Sequence, residues 1–136
     1  MATMIFVNLP VKNLGKATEF YTALGFTPNP QFSDGNASSF AISETIHLMV
    51  LAEPFFKGFT TKEIADATKT TESIVCLSAD SREGVDELVE KAFAAGGKPS
   101  NKPLDEGFMY GRSFQDLDGH LWEVMYMDMS AMPAQG

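Results

Sequence analysis

The amino-acid sequence predicts an α+β fold in which two βαβββ modules, with curved mixed sheets, form a cleft. Two observations lead to this prediction. Apolar residues repeat with the period of a strand, then of a helix, then of three further strands, and this order occurs twice. The ends of the two predicted helices are also similar, with FYTALGF in the first half and AFAAGGK in the second. Such a duplication indicates that one structural unit is repeated.

Length and composition are those of one globular domain. The chain has 136 residues, of which 44% are apolar, and this is enough to form a hydrophobic core. The formal net charge of -8 leaves no basic surface for a nucleic acid or an anionic membrane. The start, MATMIFVNLP, has no basic region before its apolar run, and a single cysteine suits a reducing compartment. We therefore expect a cytoplasmic protein with neither nucleic-acid nor membrane partners.

The first module is predicted over residues 4–52. Alternating apolar residues predict a strand over residues 5–11. A helix follows, with Asn13 as its N-cap and Gly25 as its stop. Three strands joined by short turns complete the module, and they are predicted over residues 26–31, 38–42 and 46–52.

Residues 53–71 are predicted to connect the two modules. Thr60 and Glu63 have the spacing of a capping box, which predicts a short helix over residues 61–67. The connector also carries three phenylalanines, Phe55, Phe56 and Phe59. Aromatic side chains in such a segment either pack over the sheet or cover a cavity or a subunit interface.

The second module is predicted over residues 72–128. Its first strand covers residues 73–78, and the alternation there predicts Cys76 as a buried packing residue. Asp80 is the predicted N-cap of a helix with a regular apolar stripe, which Gly96 ends. The remaining strands are predicted over residues 98–100, 108–115 and 121–127, before a C-terminal tail over residues 129–136.

Three stretches carry a resemblance to a known family. FVNLPVKNLGKATEFYTALGF is similar to that family's opening strand and helix, SADSREGVDELVEKAFAAGGK to its second helix, and GRSFQDLDGHLWEVMYMD to its closing turn and strand. Together they resemble the vicinal oxygen chelate superfamily, which includes glyoxalase I, bleomycin-resistance proteins, fosfomycin-resistance enzymes and extradiol dioxygenases. The resemblance implies the glyoxalase/bleomycin resistance/dihydroxybiphenyl dioxygenase fold, with residues 1–128 as one domain.

Metal-using members of this family carry one ligand on each of four strands, usually His or Glu. The resemblance assigns these positions to Phe6, Met49, Ser73 and Glu123, with His47 replacing Met49 if the register moves by two residues. A phenyl ring has no donor atom, a thioether is a soft ligand, and a hydroxyl is weak and neutral. Only Glu123 matches, so we expect no metal cofactor. A divalent ion, if one binds, would be held by Glu123 and His47.

The resemblance implies a metal-independent protein of the bleomycin-resistance type, which binds a small and mostly apolar molecule in the cleft. Members of that branch form dimers, and we expect a homodimer whose interface is covered by the phenylalanines of the connector. Glu123 is the candidate catalytic residue. The residues expected to line the ligand site are Phe6, Asn8, His47, Met49, Ser73, Arg112 and Met125.

Several of these residues have a second interpretation. Asn8 either hydrogen-bonds to a ligand or to the facing strand, and His47 is either a cavity donor or a partly exposed sheet residue. Arg112 either attracts an anionic ligand or forms an ion pair with Glu123 or Asp116.

The alternative function is a glyoxalase-like lyase or isomerase in which Glu123 acts as general base, with or without a recruited divalent metal. Such an enzyme needs an electrophile to stabilise an enolate, and this is normally the metal. An extradiol dioxygenase is less consistent with the sequence, because that chemistry needs two histidines and a carboxylate. The sequence is thus compatible with a binding protein and with an enzyme.

Overall fold

The first half of the chain folds as a four-stranded sheet packed against a ten-residue helix, with a shorter helix after the last strand. A computed structural model describes residues 2–131, which divide into two units between Thr70 and Thr71. The elements of the first unit are β1 (Ile5–Val11), α1 (Leu14–Ala23), β2 (Thr27–Pro28), a 3₁₀ helix (Pro30–Phe32), β3 (Ala37–Ala41), β4 (Ile46–Ala52) and α2 (Glu53–Lys57). The sheet order is β1-β4-β3-β2, with β1 parallel to β4 and the other pairs antiparallel.

Helix α1 begins and ends where the sequence predicts. The side chain of Asn13 accepts a hydrogen bond from the backbone nitrogen of Lys16 at 3.0 Å, which caps the first turn. Gly25 follows the helix with a φ of 99°, a left-handed conformation that favours glycine. The buried residues of the helix are Ala17, Phe20 and Tyr21.

The strand predicted over residues 26–31 is wrong in its length. Only β2 pairs with β3 there, and a 3₁₀ helix follows immediately. Pro28 and Pro30 lack the backbone N–H that a longer ladder needs. The proline spacing therefore limits this edge strand to two residues.

The helix predicted over residues 61–67 is also wrong. Those residues are irregular, and the hydroxyl of Thr60 accepts a hydrogen bond from the backbone nitrogen of Lys62 at 3.1 Å in a local turn. The connector begins instead with α2, which has Pro54 in its first turn, a position where proline is favoured. The sequence thus correctly predicts that this segment contains a short helix, but it places the helix too late in the chain.

The second unit repeats the arrangement with one additional short strand. Its elements are β5 (Ile74–Ser78), α3 (Arg82–Ala94), β6 (Lys98–Pro99), β7 (Leu104–Asp105), β8 (Met109–Gln115), β9 (Leu121–Met127) and a 3₁₀ helix (Met129–Ala131). The main sheet order is β5-β9-β8-β6, and β7 pairs with β8. Strand β5 is parallel to β9, and the other pairs are antiparallel. In both units, therefore, the first strand is hydrogen-bonded to the last.

Helix α3 is capped by Ser81, one residue after the predicted Asp80. The Ser81 hydroxyl accepts a hydrogen bond from the backbone nitrogen of Gly84 at 3.0 Å. The predicted apolar stripe is confirmed, since Val85, Val89 and Ala92 are buried. Gly96 follows the helix with a φ of 106°, as its place in the sequence predicts.

Helices α1 and α3 each cover one face of their sheet. The hydroxyls of Thr18 on α1 and Ser38 on β3 are 2.7 Å apart, which identifies the covered face of the first sheet. In the second sheet the covered face carries Arg112, which is ion-paired to α3. Strand alternation puts the intervening residues on the opposite faces, here named the α1-distal face and the α3-distal face. The α1-distal face includes Phe6, Asn8, His47 and Met49, and the α3-distal face includes Cys76, Gly111, Ser113, Glu123 and Met125.

The core of each unit lies between its helix and its sheet. The largest fully buried side chains are Tyr21, Phe20 and Phe40 in the first unit and Trp122 and Phe114 in the second. The predicted fold class, α+β with two βαβββ modules and curved mixed sheets, is confirmed. Of the predicted tail, residues 132–136 lie outside the described part of the chain. Within residues 2–131, no helix has both the length and the apolar character needed to cross a bilayer.

Candidate functional site

Phe6 and His47 form an aromatic pair on the α1-distal face. They are Cα partners on the parallel strands β1 and β4, and their rings stack with centroids 4.9 Å apart and an interplanar angle of 15°. The Nε2 atom of His47 lies 3.3 Å from the backbone oxygen of Glu44. Phe6 remains 52% exposed, so much of its ring is open to a further contact.

Asn8 and Met49 form the next pair along the same two strands. The side-chain nitrogen of Asn8 donates a hydrogen bond to the backbone oxygen of Phe6 at 3.1 Å, along its own strand and not to the facing strand. Met49 is half-buried and is also the Cα partner of Ser39 on β3. The structure thus brings together four of the predicted residues, Phe6, Asn8, His47 and Met49, on one face of one unit.

Glu123 lies in the middle of the α3-distal face. Its Cα partners are Cys76 on β5 and Ser113 on β8. Among the described residues of the second unit, its carboxylate has no hydrogen bond and no ion pair. Met125 follows two residues later on the same face. A half-buried carboxylate beside a thioether is a hydrogen-bond acceptor within a partly apolar surface.

Cys76 is exposed, so its prediction as a buried packing residue is wrong. Its strand alternates as predicted, but the face toward α3 takes Leu77, and Cys76 shares the other face with Glu123. Partial burial raises the pKa of the Cys76 thiol, and the negative charge of Glu123 raises it further. The thiol therefore stays protonated and is a weak nucleophile at neutral pH.

Ser73 lies outside β5 and is exposed. The residue that β5 pairs with Glu123 is Cys76. The structure therefore does not bring Ser73 into the row of residues around Glu123.

Arg112 lies on the α3-facing side of the sheet. Its guanidinium donates to Asp86 Oδ1 at 3.0 Å and to Glu90 Oε2 at 2.7 Å, and its side chain is 18% exposed. The ion pair expected with Glu123 or Asp116 is therefore replaced by two pairs with α3. Tyr110 also donates to Asp86 Oδ1, at 2.6 Å, and this hydrogen bond, followed by that of Arg112, lowers the pKa of the Asp86 carboxyl.

Gly111 is a further residue of the α3-distal face and was not among the predicted site residues. A Cβ atom built on Gly111 would overlap Sδ of its partner Met125 and lie 2.9 Å from the Cε atom. The thioether of Met125 thus lies across the backbone of Gly111. The sequence signal for this close approach is a glycine in the middle of a strand.

The donor set does not fit a divalent metal. In the first unit, the phenyl ring of Phe6 stacks on His47, and Met49 offers only a thioether. In the second unit, Ser73 lies outside its strand, which leaves Glu123. Within residues 2–131, no group of three or more His, Cys, Asp or Glu side chains could hold a metal ion. The residues present therefore do not form the ligand set that the family resemblance suggests.

No curated protein matches the chain significantly in sequence. The chain is similar in structure to hypothetical protein SA1046 from S. aureus, with 28% identity, a TM-score of 0.77, and coverage of 93% of this chain and 94% of that chain. It is also similar to lactoylglutathione lyase from Agrobacterium tumefaciens, with 16% identity, a TM-score of 0.69, and coverage of 98% and 99%.

A further solved structure with the same fold is the fosfomycin resistance protein FosX from Listeria monocytogenes. It is 21% identical, with a TM-score of 0.66 and coverage of 96% of this chain and 97% of that chain. A sequence model of the Glyoxalase/Bleomycin resistance protein/Dioxygenase superfamily matches residues 3–124. This match confirms the resemblance, and the chain belongs to the glyoxalase/bleomycin resistance protein/dioxygenase superfamily.

Proposed function

We propose that this protein binds a small, mostly apolar molecule on the α1-distal and α3-distal faces of its sheets, without a resident metal. The observation that supports this most is the stack of Phe6 on His47, at 4.9 Å between centroids. The position that the family resemblance assigns to a metal ligand carries a ring with no donor atom. That ring is half-exposed, so it offers an apolar surface to a molecule instead of a coordination bond.

The residues around Phe6 have the composition expected of a small-molecule site. Such sites are mostly apolar and contain a few polar groups that orient the ligand. Met49 supplies a flexible thioether that adapts to irregular shapes. Asn8 is exposed, and its amide offers hydrogen bonds to a ligand in addition to its bond with the backbone of Phe6.

In the second unit, Glu123 and Met125 are the proposed ligand contacts. The carboxylate of Glu123 would accept a hydrogen bond from an O–H or N–H group of the ligand. We leave Arg112 out of the site because Asp86 and Glu90 already engage its guanidinium on the other face. The proposed ligand is therefore apolar with a hydrogen-bond donor, and not an anion.

The second candidate is a glyoxalase-like lyase or isomerase with Glu123 as general base, supported by the unpaired carboxylate of Glu123 within its unit. It is the weaker candidate because a developing enolate needs an electrophile, and the guanidinium of Arg112 lies on the opposite face. Elemental analysis of protein purified without chelator separates the two. A stoichiometric content of Zn, Ni or Mn would favour the enzyme over the binding protein.

The binding proposal is tested with a panel of neutral aromatic and aliphatic compounds. Thermal shift would identify binders of the metal-free protein, and calorimetry would measure their dissociation constants. Phe6→Ala should weaken binding about 3- to 10-fold, which corresponds to the free energy of one aromatic contact. Phe32→Ala is the matched control, because Phe32 is an exposed phenylalanine of the same unit outside the proposed site. Equal effects of the two substitutions would exclude Phe6 from the site.

Glu123 has a separate test in the same assay. Glu123→Gln keeps the size of the side chain and removes its charge. It should weaken the binding of alcohols or amines and leave the binding of pure hydrocarbons unchanged. Unchanged affinity for every compound would remove Glu123 from the proposed site.

The proposal includes a cytoplasmic homodimer, in which the connector phenylalanines cover the subunit interface. Phe55 and Phe59 contact each other edge to face with centroids 5.2 Å apart, and Phe59 is 70% exposed. Large exposed aromatic side chains are typical of interaction surfaces. Sedimentation at micromolar concentration should give a dimer, and Phe59→Ser should shift it toward the monomer. A wild-type monomer at that concentration would contradict this part of the proposal.

A further inference from the structure

We infer that Gly111 and Met125 together set the size of the molecule that can bind beside Glu123. This inference rests on the proposed function, since it assumes that the α3-distal face binds a ligand. It adds a specificity-determining pair to that site. Gly111 has no side chain, so it acts only by allowing the side chain of Met125 to lie across its backbone.

The geometry of the pair carries the inference. Gly111 on β8 and Met125 on β9 are Cα partners in an antiparallel ladder. A Cβ at position 111 would overlap Met125 Sδ, lie 2.9 Å from its Cε, and lie 3.4 Å from the backbone oxygen of Val124. The thioether thus occupies the volume that any other residue at position 111 would fill. Gly111 is buried in consequence.

The surroundings make Met125 the adjustable part of this face. Glu123 lies two residues before it on the same strand and the same face. Their Cα partners on the adjacent strands are small, namely Cys76, Ser78, Gly111 and Ser113. Met125 is therefore the large, flexible, apolar side chain nearest to the carboxylate within these two rows.

Two positions of Met125 would then have different consequences for a ligand. Lying across Gly111, the thioether stays close to the backbone of β8. If position 111 carried a side chain, the thioether would have to move away from that backbone, toward a ligand bound beside Glu123. Gly111 therefore permits larger ligands than a chain with alanine at this position would accept.

The test compares one-ring and two-ring neutral alcohols, benzyl alcohol and naphthylmethanol. Their dissociation constants are measured by titration of isotope-labelled methionine methyl groups, which also report the position of Met125. In Gly111→Ala, the two-ring alcohol should lose at least about 5-fold more affinity than the one-ring alcohol. In Met125→Ala, the preference should move the other way, toward the two-ring alcohol.

The chain offers matched controls for both changes. Gly35→Ala adds the same methyl group where no atom lies within 4 Å, so it should leave the size preference unchanged. Met127→Ala removes a thioether two residues further along β9, from a side chain that is 48% exposed and is paired with Met109. If Gly111→Ala does not fold, Gly111→Ala combined with Met125→Ala removes the overlap and should restore folding and two-ring binding.

Failure of the inference and failure of the proposed function give different results. If neither alcohol nor any other compound of the panel binds the wild-type protein, the proposed function fails and the inference fails with it. If both alcohols bind but their affinity ratio is the same in the wild type, Gly111→Ala and Met125→Ala, only the inference is overturned. A ratio that moves against the two-ring alcohol in Gly111→Ala and toward it in Met125→Ala, with unchanged ratios in Gly35→Ala and Met127→Ala, supports the inference, and a shift in the wrong direction in either variant overturns it.

Discussion

Arg112 and Glu123 lie on opposite faces of the second sheet. The Cα partner of Glu123 on β8 is Ser113, and adjacent residues of a strand point to opposite sides. Arg112 therefore joins β8 to α3 through Asp86 and Glu90, at 3.0 and 2.7 Å. The cation of Arg112, which has a structural role, is thus separated from the carboxylate of Glu123 in the proposed site. Either residue can be substituted without affecting the contacts of the other.

Removal of the Arg112 guanidinium should reduce stability and leave ligand binding intact. Arg112→Gln should lower the free energy of unfolding by about 1–2 kcal/mol, because two charge-assisted hydrogen bonds are lost and water partly screens them. Urea unfolding can be followed by the fluorescence of Trp122, the single and fully buried tryptophan. As a control, Lys91→Gln breaks the exposed pair with Glu87 and should cost about 0.5 kcal/mol or less. Equal costs for the two variants would contradict the assignment.

The contacts of α3 with β7 and β8 should weaken in acid. The Tyr110 hydroxyl and then Arg112 lower the pKa of Asp86, and Arg82 lowers that of Asp105 from 3.8 to about 2. A carboxyl with a lower pKa in the folded state stabilises the fold above its unfolded pKa. That stability is lost as the pH falls through the folded pKa. The free energy of unfolding should therefore decrease from about pH 4 to about pH 2.

Urea unfolding over this pH range checks the prediction for Asp86 and Asp105. The variant that combines Asp86→Asn with Asp105→Asn should be less stable at neutral pH and should lose less stability in acid. Identical pH dependence in the wild type and in this variant would show that other carboxylates dominate.

Cys76 should react slowly with alkylating agents although it is exposed. Its thiol has a raised pKa because of partial burial and then because of the charge of Glu123. The pH profile of its reaction with iodoacetamide should have a midpoint above the ordinary value of 9.0. Glu123→Gln should lower that midpoint, and Glu90→Gln, which changes a carboxylate of α3, should not. A midpoint at or below the ordinary value in the wild type would refute the prediction.

Gly96 should tolerate substitution poorly. Its φ is 106°, and a Cβ there would lie 3.1 Å from Leu117 Cδ2. Gly96→Ala should therefore lower the free energy of unfolding by about 1–2 kcal/mol, the cost of a left-handed conformation for a residue with a side chain. Gly35→Ala has no such neighbour and should change stability by no more than about 0.5 kcal/mol. Urea unfolding measures both, and similar losses in the two variants would go against the prediction.

Local patterns were sufficient to predict most elements of the fold. The bounds of β1, β4 and β9 agree with the predictions, because alternating apolar residues are flanked there by clear turn residues. The cap at Asn13 agrees for the same local reason. The failures occur where two local signals compete. Prolines shorten β2, and a threonine with capping-box spacing forms a turn instead of a helix.

For the candidate site, the sequence could predict only which residues of one strand lie on the same face. Phe6, Asn8, His47 and Met49 share a face because β1 and β4 pair in register, and parity within each strand indicates which residues group together. The prediction that Cys76 is buried failed because alternation within β5 does not indicate which of its two faces α3 covers. The partners of Arg112 come from α3, and a contact between distant elements cannot be derived from spacing within one strand.

In both sheets the strand made first is bonded to the strand made last, β1 to β4 and β5 to β9. During synthesis, β1 can find its neighbour once residue 52 has left the ribosome, while translation of the second half continues. β5 in turn has to wait until residue 127 has been synthesised. Until then β5 has an unpaired edge that can associate with other nascent chains.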